Sequence, residues 1–144
     1  MIEHDTVRLL REDDAGVAMG ISAIDEVLDY VKDERLKDVL EKSKDEHNAM
    51  NEEIQNLLGR YNDDGKNPNP IAKGMSWMKT NVMLVMNESD ATIADLITDG
   101  CNMGIKSLNK YLNEYEAADE KSKDITKKLI KIEEKLADSV KEYL

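Results

Sequence analysis

The 144-residue chain contains few residues that interrupt helices, with only two prolines and seven glycines. It has no phenylalanine and a single cysteine, Cys101, which excludes a disulfide within the chain and is typical of a reducing cytoplasm. Its longest apolar run, at residues 82–86, is far too short to span a bilayer. The acidic N-terminus lacks the apolar core of a signal peptide. These absences predict a cytoplasmic protein without a membrane segment.

Positive charge is scarce relative to negative charge. The chain carries 31 acidic residues against 20 Lys and Arg residues, which gives a formal net charge of −11. Such a surface repels nucleic acid phosphates and anionic lipid headgroups. We therefore expect no nucleic acid as a partner and no membrane docking.

What the chain does have is helical periodicity over almost its whole length, in a single domain of residues 1–144. The pattern predicts helices over about residues 6–31 and 33–58. A helical region over 70–115 restarts near residue 88, and a last helix runs from 119 to the C-terminus. Gly59 is predicted to cap the second helix, and residues 60–69 are rich in Asn, Asp and Gly, which is typical of a loop. The predicted fold class is all-α.

Polar residues interrupt the apolar stripes of the helical segments predicted over residues 6–31, 33–58, 88–115 and 119–144. Inward positions recur in alternating steps of three and four residues, which follow one face of a packed helix. The polar residues on these stripes that bear on a site are Asp14, Ser43, His47, Thr98 and Glu133. Polar groups at inward positions predict either a ligand site or a buried polar cluster.

The two halves of the chain resemble each other. Met-Gly-Ile at residues 19–21 recurs at 103–105, and residues 33–38 resemble residues 119–124. In this register His47 corresponds to Glu133, and Asp14 corresponds to Thr98. A helical hairpin used twice predicts a four-helix bundle, with residues 60–89 as a crossover loop and an extra helix. The four polar positions would then meet in one core layer, unless the match between two acidic helical sequences arose by chance.

On these features the chain resembles the ferritin-like superfamily, and it is most similar to uncharacterised bacterial ferritin-like domains. The resemblance covers nearly the whole chain. Besides the paired hairpins it rests on four short segments, Asp45-Glu46-His47, Glu52-Glu53-Ile54, residues 74–77 and Glu133-Glu134. It implies a ferritin-like four-helix bundle built from two helical hairpins.

The resemblance also implies a di-iron site, which takes a Glu from each of two helices and Glu-x-x-His from each of the other two. This chain departs from that pattern at four ligand positions. Those positions hold Lys44, Leu136, Asp14 and either Thr98 or Asp99. The site is therefore predicted to be degenerate, and ferroxidase activity is not expected.

Two interpretations of the inward polar residues stay open. Asp14, His47 and Glu133 could bind one divalent metal ion, such as iron, manganese or zinc, with waters completing its shell. Alternatively, they form a buried polar cluster in which Lys44 or His47 supplies the positive charge.

The crossover is expected to hold an extra helix that is apolar on most of its circumference. Its outer apolar side chains are Trp77, Met83, Leu84 and Met86. An apolar patch of this kind usually marks an interface, so the chain is predicted to form a homodimer through this helix. The alternative is that the crossover packs deeply into its own bundle.

No motif for an enzyme of another class is present. Cys101 falls on an apolar stripe, where a thiol usually serves packing. The sequence therefore predicts a ferritin-like bundle that acts as a structural or interaction protein, with a metal-binding protein as the alternative.

Overall fold

The computed structural model describes residues 2–61, 63 and 89–144. These residues form four α-helices and no strand, which confirms the all-α fold class for this part of the chain. The helices are α1 (Ile2–Leu28), α2 (Glu34–Arg60), α3 (Asp90–Glu114) and α4 (Glu120–Val140), followed by a 3-10 turn (Lys141–Tyr143). None of these helices is long and apolar enough to cross a membrane.

Aspartate side chains begin two of the helices. The carboxylate of Asp33 accepts hydrogen bonds from the backbone N–H groups of Arg35 and Leu36, and Asp119 accepts one from Ser122 at 2.8 Å. Such caps satisfy N–H groups that the first turn of a helix leaves without a partner. Helix α3 starts at Asp90, close to residue 88, where the sequence predicts a kink or a restart.

The predicted ends of the first two helices are wrong. Helix α1 ends at Leu28, three residues before the predicted boundary, and α2 continues through Gly59 to Arg60. Tyr61, with its N–H bonded to the carbonyl of Leu58, is the C-cap of α2. Gly59 lies inside the last turn, where its backbone adopts ordinary helical geometry.

Helices α1 and α3 pack in opposite directions. The backbone N–H groups of Lys32 and Asp33, after the end of α1, donate to the carboxylate of Asp90 at the start of α3 at 2.8 and 2.9 Å. At the other end, the N–H of Asp119 donates to Thr6 at 2.8 Å, which places the start of α1 against the α3–α4 turn.

Helices α2 and α4 are also antiparallel neighbours. Lys128 pairs with Glu53 at 3.6 Å, and Lys135 pairs with Glu46 at 3.2 Å, so positions later in α4 meet positions earlier in α2. Tyr61 at the end of α2 donates to Asp119 at the start of α4. Because α3 begins beside the α1–α2 turn, the end of α2 and the start of α3 lie at opposite ends of the bundle.

The apolar core consists of two clusters, one toward each end of the bundle. The α1–α2 turn cluster contains Ile24, Val27, Leu36, Leu40, Ile93, Ala94, Leu96, Ile97, Cys101, Leu136 and Val140. The α3–α4 turn cluster contains Leu10, Val17, Met50, Ile54, Leu57, Leu58, Leu108, Ile125, Leu129 and Ile130. On every helix the boundary between the clusters falls at one level, and that level holds the candidate site.

The predicted extra helix and its apolar residues Trp77, Met83, Leu84 and Met86 lie outside the described residues. The homodimer expected through them stays a prediction.

Candidate functional site

A histidine and a glutamate meet between the two apolar clusters. His47 on α2 is 1% exposed, and its Nε2 lies 2.7 Å from Oε1 of the partly buried Glu133 on α4. Its Nδ1 lies 2.7 Å from the backbone carbonyl oxygen of Ser43, one turn earlier in α2. Because a carbonyl can only accept, Nδ1 carries a proton. Both ring nitrogens are therefore engaged within the protein.

The environment of His47 favours its charged form. Burial lowers the pKa of the imidazole, but the hydrogen bond and negative charge of Glu133, together with the Ser43 carbonyl, raise this pKa above its ordinary value. With a proton on each nitrogen, the ring donates to the carbonyl and to the carboxylate at once. The pair thus has the geometry of a buried ion pair, with Nε2 of His47 2.7 Å from a carboxyl oxygen of Glu133.

Glycines from α1 and α3 complete this layer. A Cβ atom at Gly20 would lie 2.8 Å from both Cδ2 and Nε2 of His47, which is closer than real Cβ atoms approach. A Cβ atom at Gly104 would lie 3.7 Å from Oε2 of Glu133, an ordinary contact distance. We call Gly20, His47, Gly104 and Glu133 the middle layer. The imidazole of His47 fits in this layer only because α1 has no side chain at position 20.

Cys101 adjoins the middle layer. Burial, the charge of Glu133 and a hydrogen bond to it raise the pKa of the Cys101 thiol far above its usual range. The thiol therefore stays protonated, and a protonated thiol is a poor nucleophile and metal ligand.

Asp14 does not join the middle layer, and its predicted inward orientation is wrong. It is partly exposed, and its carboxylate accepts a hydrogen bond from the side-chain amide of Gln55 at 2.5 Å. Six residues separate Asp14 from Gly20, or about 9 Å along α1 at 1.5 Å per residue. The structure thus brings His47 and Glu133 together and places Asp14 elsewhere on the α1–α2 interface.

The reason is the rotation of α1 about its axis. The buried positions of α1 include Leu10, Asp13, Val17, Ile24 and Val27. These positions also follow alternating steps of three and four residues. They include Gly20, whereas the stripe predicted from the sequence includes Ile21. The same shift occurs in α3, where Ile97 and Gly104 face inward and Thr98 donates to the carbonyl of Ala94 in its own helix.

Hydrophobic periodicity does not identify Gly20 and Gly104 as inward positions, because a glycine contributes no hydrophobic signal, whereas the isoleucine after each one does. The repeated Met-Gly-Ile was the signal that could have located them. It placed one glycine at equivalent levels of α1 and α3.

Lys44 is not the cation of this site. Its amino group lies 2.6 Å from a carboxylate oxygen of Asp25, with both side chains partly exposed. The positive charge beside Glu133 comes from His47, as one branch of the buried-cluster interpretation required.

The residues at this level do not fit a di-iron centre. Such a centre needs carboxylates from all four helices, whereas α1 and α3 contribute glycines here. Within residues 2–61, 63 and 89–144, no group of three or more His, Cys, Asp or Glu side chains is arranged to hold a metal ion. Metal binding by Asp14, His47 and Glu133 stays a prediction of the sequence.

A second buried polar pair lies between α1 and α4, closer to the α3–α4 turn. Asp13 and Thr126 are both 0% exposed, and the threonine Oγ1 lies 3.0 and 2.7 Å from the two carboxyl oxygens of Asp13. Burial raises the pKa of Asp13 to about 8, the hydrogen bond from Thr126 opposes this rise, and the charge of Glu12 adds to it. Asp13 is therefore a neutral acid at moderate pH.

Comparison with known proteins assigns no family. No protein-family model matches the chain, and no curated protein or solved structure is significantly similar to it. The ferritin-like resemblance therefore rests on the sequence of this chain alone.

Proposed function

We propose that this protein is a ferritin-like bundle in which a buried His47–Glu133 ion pair stands where ferritin-like enzymes hold metal, and that it acts as a structural or interaction protein. One observation carries the proposal: both nitrogens of His47 are bonded within the protein, to Glu133 and to Ser43, at 2.7 Å each. A metal ligand needs one nitrogen lone pair free for the metal.

The direction of the helices supports the ferritin-like part of the proposal. Helices α1 and α2 pack together, as do α3 and α4, and α2 ends at the opposite end of the bundle from the start of α3. Two antiparallel hairpins joined by one long crossover are the arrangement of ferritin-like folds.

The chemistry of the pair supports the loss of metal. A divalent cation in this layer would have to displace the proton from Nε2 of His47 and separate the ring from Glu133. The protein already supplies the positive charge that the carboxylate needs, so a metal would add little stability. We expect folding to be independent of metal.

Elemental analysis of the purified protein tests this directly, together with thermal unfolding in the presence of a chelator or of added iron, manganese or zinc. The expected result is less than stoichiometric metal and the same unfolding temperature under every condition. Retention of one equivalent of metal that is lost in His47→Ala, but kept in the matched control His4→Ala, would overturn the proposal. His4 is a suitable control because it is exposed near the start of α1.

We also propose that the protein acts as a homodimer, on the strength of the apolar side chains Trp77, Met83, Leu84 and Met86. Light scattering across a dilution series should give twice the mass of the chain at high concentration. Met83→Asp combined with Met86→Asp should shift the mass to that of one chain. A strict monomer at all concentrations would reject self-association without affecting the metal test.

A further inference from the structure

Asp13 is an acid enclosed by the core. Of the side chains in the described part of the chain, it is the only carboxyl-bearing one classed as buried, at 0% exposure. One turn before it and one turn after Thr126 the core is apolar and buried, at Leu9, Leu10 and Leu129. An ionised carboxylate in such surroundings is costly unless several donors surround it.

The groups around Asp13 offer hydrogen-bond partners to its protonated form as well as to its ionised form. Oγ1 of Thr126 lies 2.7 Å from one carboxyl oxygen of Asp13 and 3.2 Å from the backbone carbonyl oxygen of Ser122. A hydroxyl has one proton, so it can donate to only one of them. If Asp13 is neutral, its O–H donates to Thr126, and Thr126 donates to Ser122. If Asp13 is ionised, Thr126 must turn to it, and the Ser122 carbonyl loses this donor.

Charged neighbours do not offset the burial. On α1, the adjacent Glu12 disfavours a second negative charge. On α4, the group in contact with Asp13 is the uncharged, buried hydroxyl of Thr126. Among the described residues, no side chain of α2 or α3 forms an ion pair with Asp13. The hydroxyl of Thr126 is thus the group that meets the carboxyl.

We propose that folding takes up a proton at Asp13, and that the protonated carboxyl forms a proton-linked contact between α1 and α4 that loosens when the proton leaves. The proton comes from water on folding and returns to water when the contact opens, so no other reactant is needed. Burial raises the pKa of this carboxyl to about 8 from 3.8, so the neutral form persists through neutral pH.

The sign of the pH dependence follows from this shift. The unfolded chain holds the carboxyl ionised above pH 3.8, whereas the folded chain keeps it protonated up to about 8. Folded stability from this group is therefore complete below the lower value and is lost as pH rises toward the upper one. Across that window each pH unit should raise the unfolding constant about tenfold.

Urea unfolding from pH 5 to pH 8, with Asp13→Asn as the test variant, measures this contribution. Asparagine keeps the shape but cannot ionise. The ratio of the wild-type unfolding constant to that of Asp13→Asn should rise about 100-fold between pH 5 and 7. Asp14→Asn is the matched control, and its ratio to wild type should stay nearly constant over the same range. Parallel pH profiles for wild type and Asp13→Asn would overturn the proposal.

A measurement on the wild-type protein keeps the proposal testable even if Asp13→Asn does not fold. Carbon-detected NMR should show the Asp13 carboxyl carbon titrating well above the other aspartates. Above that transition, backbone amides of residues 9–17 should lose protection from hydrogen exchange after correction for the intrinsic rate. A carboxyl carbon that titrates near 4, or protection that does not change through the transition, would show that Asp13 is not linked to this contact.

Discussion

The described part of the bundle buries two polar pairs, and each pair offsets the cost of burial in a different way. In the middle layer, His47 and Glu133 supply each other's counter-charge, so the pKa of His47 is raised and the pair is ionic. Between α1 and α4, the hydroxyl of Thr126 is the partner that the described residues give Asp13, and burial raises the pKa of this acid so that it is neutral. Burial penalises charge at both sites, and the partner decides whether charge survives.

The two pairs also differ in their relation to the internal repeat. His47 and Glu133 occupy equivalent positions of the two halves, and the glycines facing them are equivalent as well. In the same register, Asp13 corresponds to Ile97 and Thr126 corresponds to Leu40, which both lie in the apolar α1–α2 turn cluster. The middle layer is thus shared by both halves, whereas the neutral acid is a local feature of one end.

The largest expected effect comes from breaking the ionic pair on one side. His47→Leu should lower the free energy of unfolding by about 3 kcal/mol, because it leaves the Glu133 carboxylate without its partner. Adding Glu133→Leu should recover much of this loss. Urea unfolding measures both, with His4→Leu as an exposed control that should change little. A single variant as stable as wild type would show that the pair is not a buried ion pair.

The same pair makes a pH prediction. Because the folded pKa of His47 lies above its ordinary value of 6.5, its contribution to stability is complete below 6.5 and is lost as pH rises through the folded value. In Glu133→Gln, burial should prevail and the pKa should fall below 6.5. An NMR titration of the His47 ring checks both values, and an unchanged pKa in Glu133→Gln would contradict the ionic pairing.

A smaller effect is expected from filling the space beside the imidazole. Gly20→Ala should cost about 2 kcal/mol, since the new Cβ would displace the ring from Glu133. Gly16→Ala is the matched control, because nothing lies within 4 Å of its Cβ position, and it should gain about 0.5–1 kcal/mol from helix propensity. Thermal unfolding at one pH distinguishes them. Equal effects at both positions would reject the steric argument.

Removing the Thr126 hydroxyl, which contacts Asp13, should lower the free energy of unfolding by less than Gly20→Ala does. Thr126→Val is expected to lower stability by about 1 kcal/mol, because it leaves the buried carboxyl of Asp13 without its partner. Thr98→Val removes a hydroxyl that bonds only within its own helix and should change stability by a few tenths of that amount. Urea unfolding at pH 6 compares the two variants. Equal losses of stability would show that the contact between Thr126 and Asp13 contributes no more than a hydroxyl bonded within its own helix.

The smallest effect is expected at the surface. Lys44→Met breaks the partly exposed pair with Asp25 and should leave stability nearly unchanged, because water and salt screen such pairs. The pKa of His47, followed by NMR, should not move. A large shift of the His47 pKa would show that Lys44 contributes positive charge to the middle layer.

The inward faces of α2 and α4 could be predicted residue by residue. The stripe predicted for α2 is buried at all seven positions, which are Leu36, Leu40, Ser43, His47, Met50, Ile54 and Leu57. The stripe predicted for α4 is buried or partly buried at its seven positions, which are Ser122, Thr126, Leu129, Glu133, Leu136, Val140 and Tyr143. Both helices combine a strong apolar stripe with polar residues on the other faces, so one rotation fits the pattern best. In α1 and α3, the inward face includes Asp13, Gly20 and Ile97, each one residue before a position of the stripe predicted from the sequence.

The sequence by itself determined the helical class, the approximate segments and the inward placement of His47 and Glu133, because each follows from local propensity and a period of about 3.6 residues. Only the tertiary structure decided that Asp13 faces inward and Asp14 does not, that glycines face the ion pair, and that His47 rather than Lys44 is the partner of Glu133. Those outcomes depend on how far each helix turns about its axis when four helices pack together, and one residue of rotation exchanges a buried carboxyl for a partly exposed one.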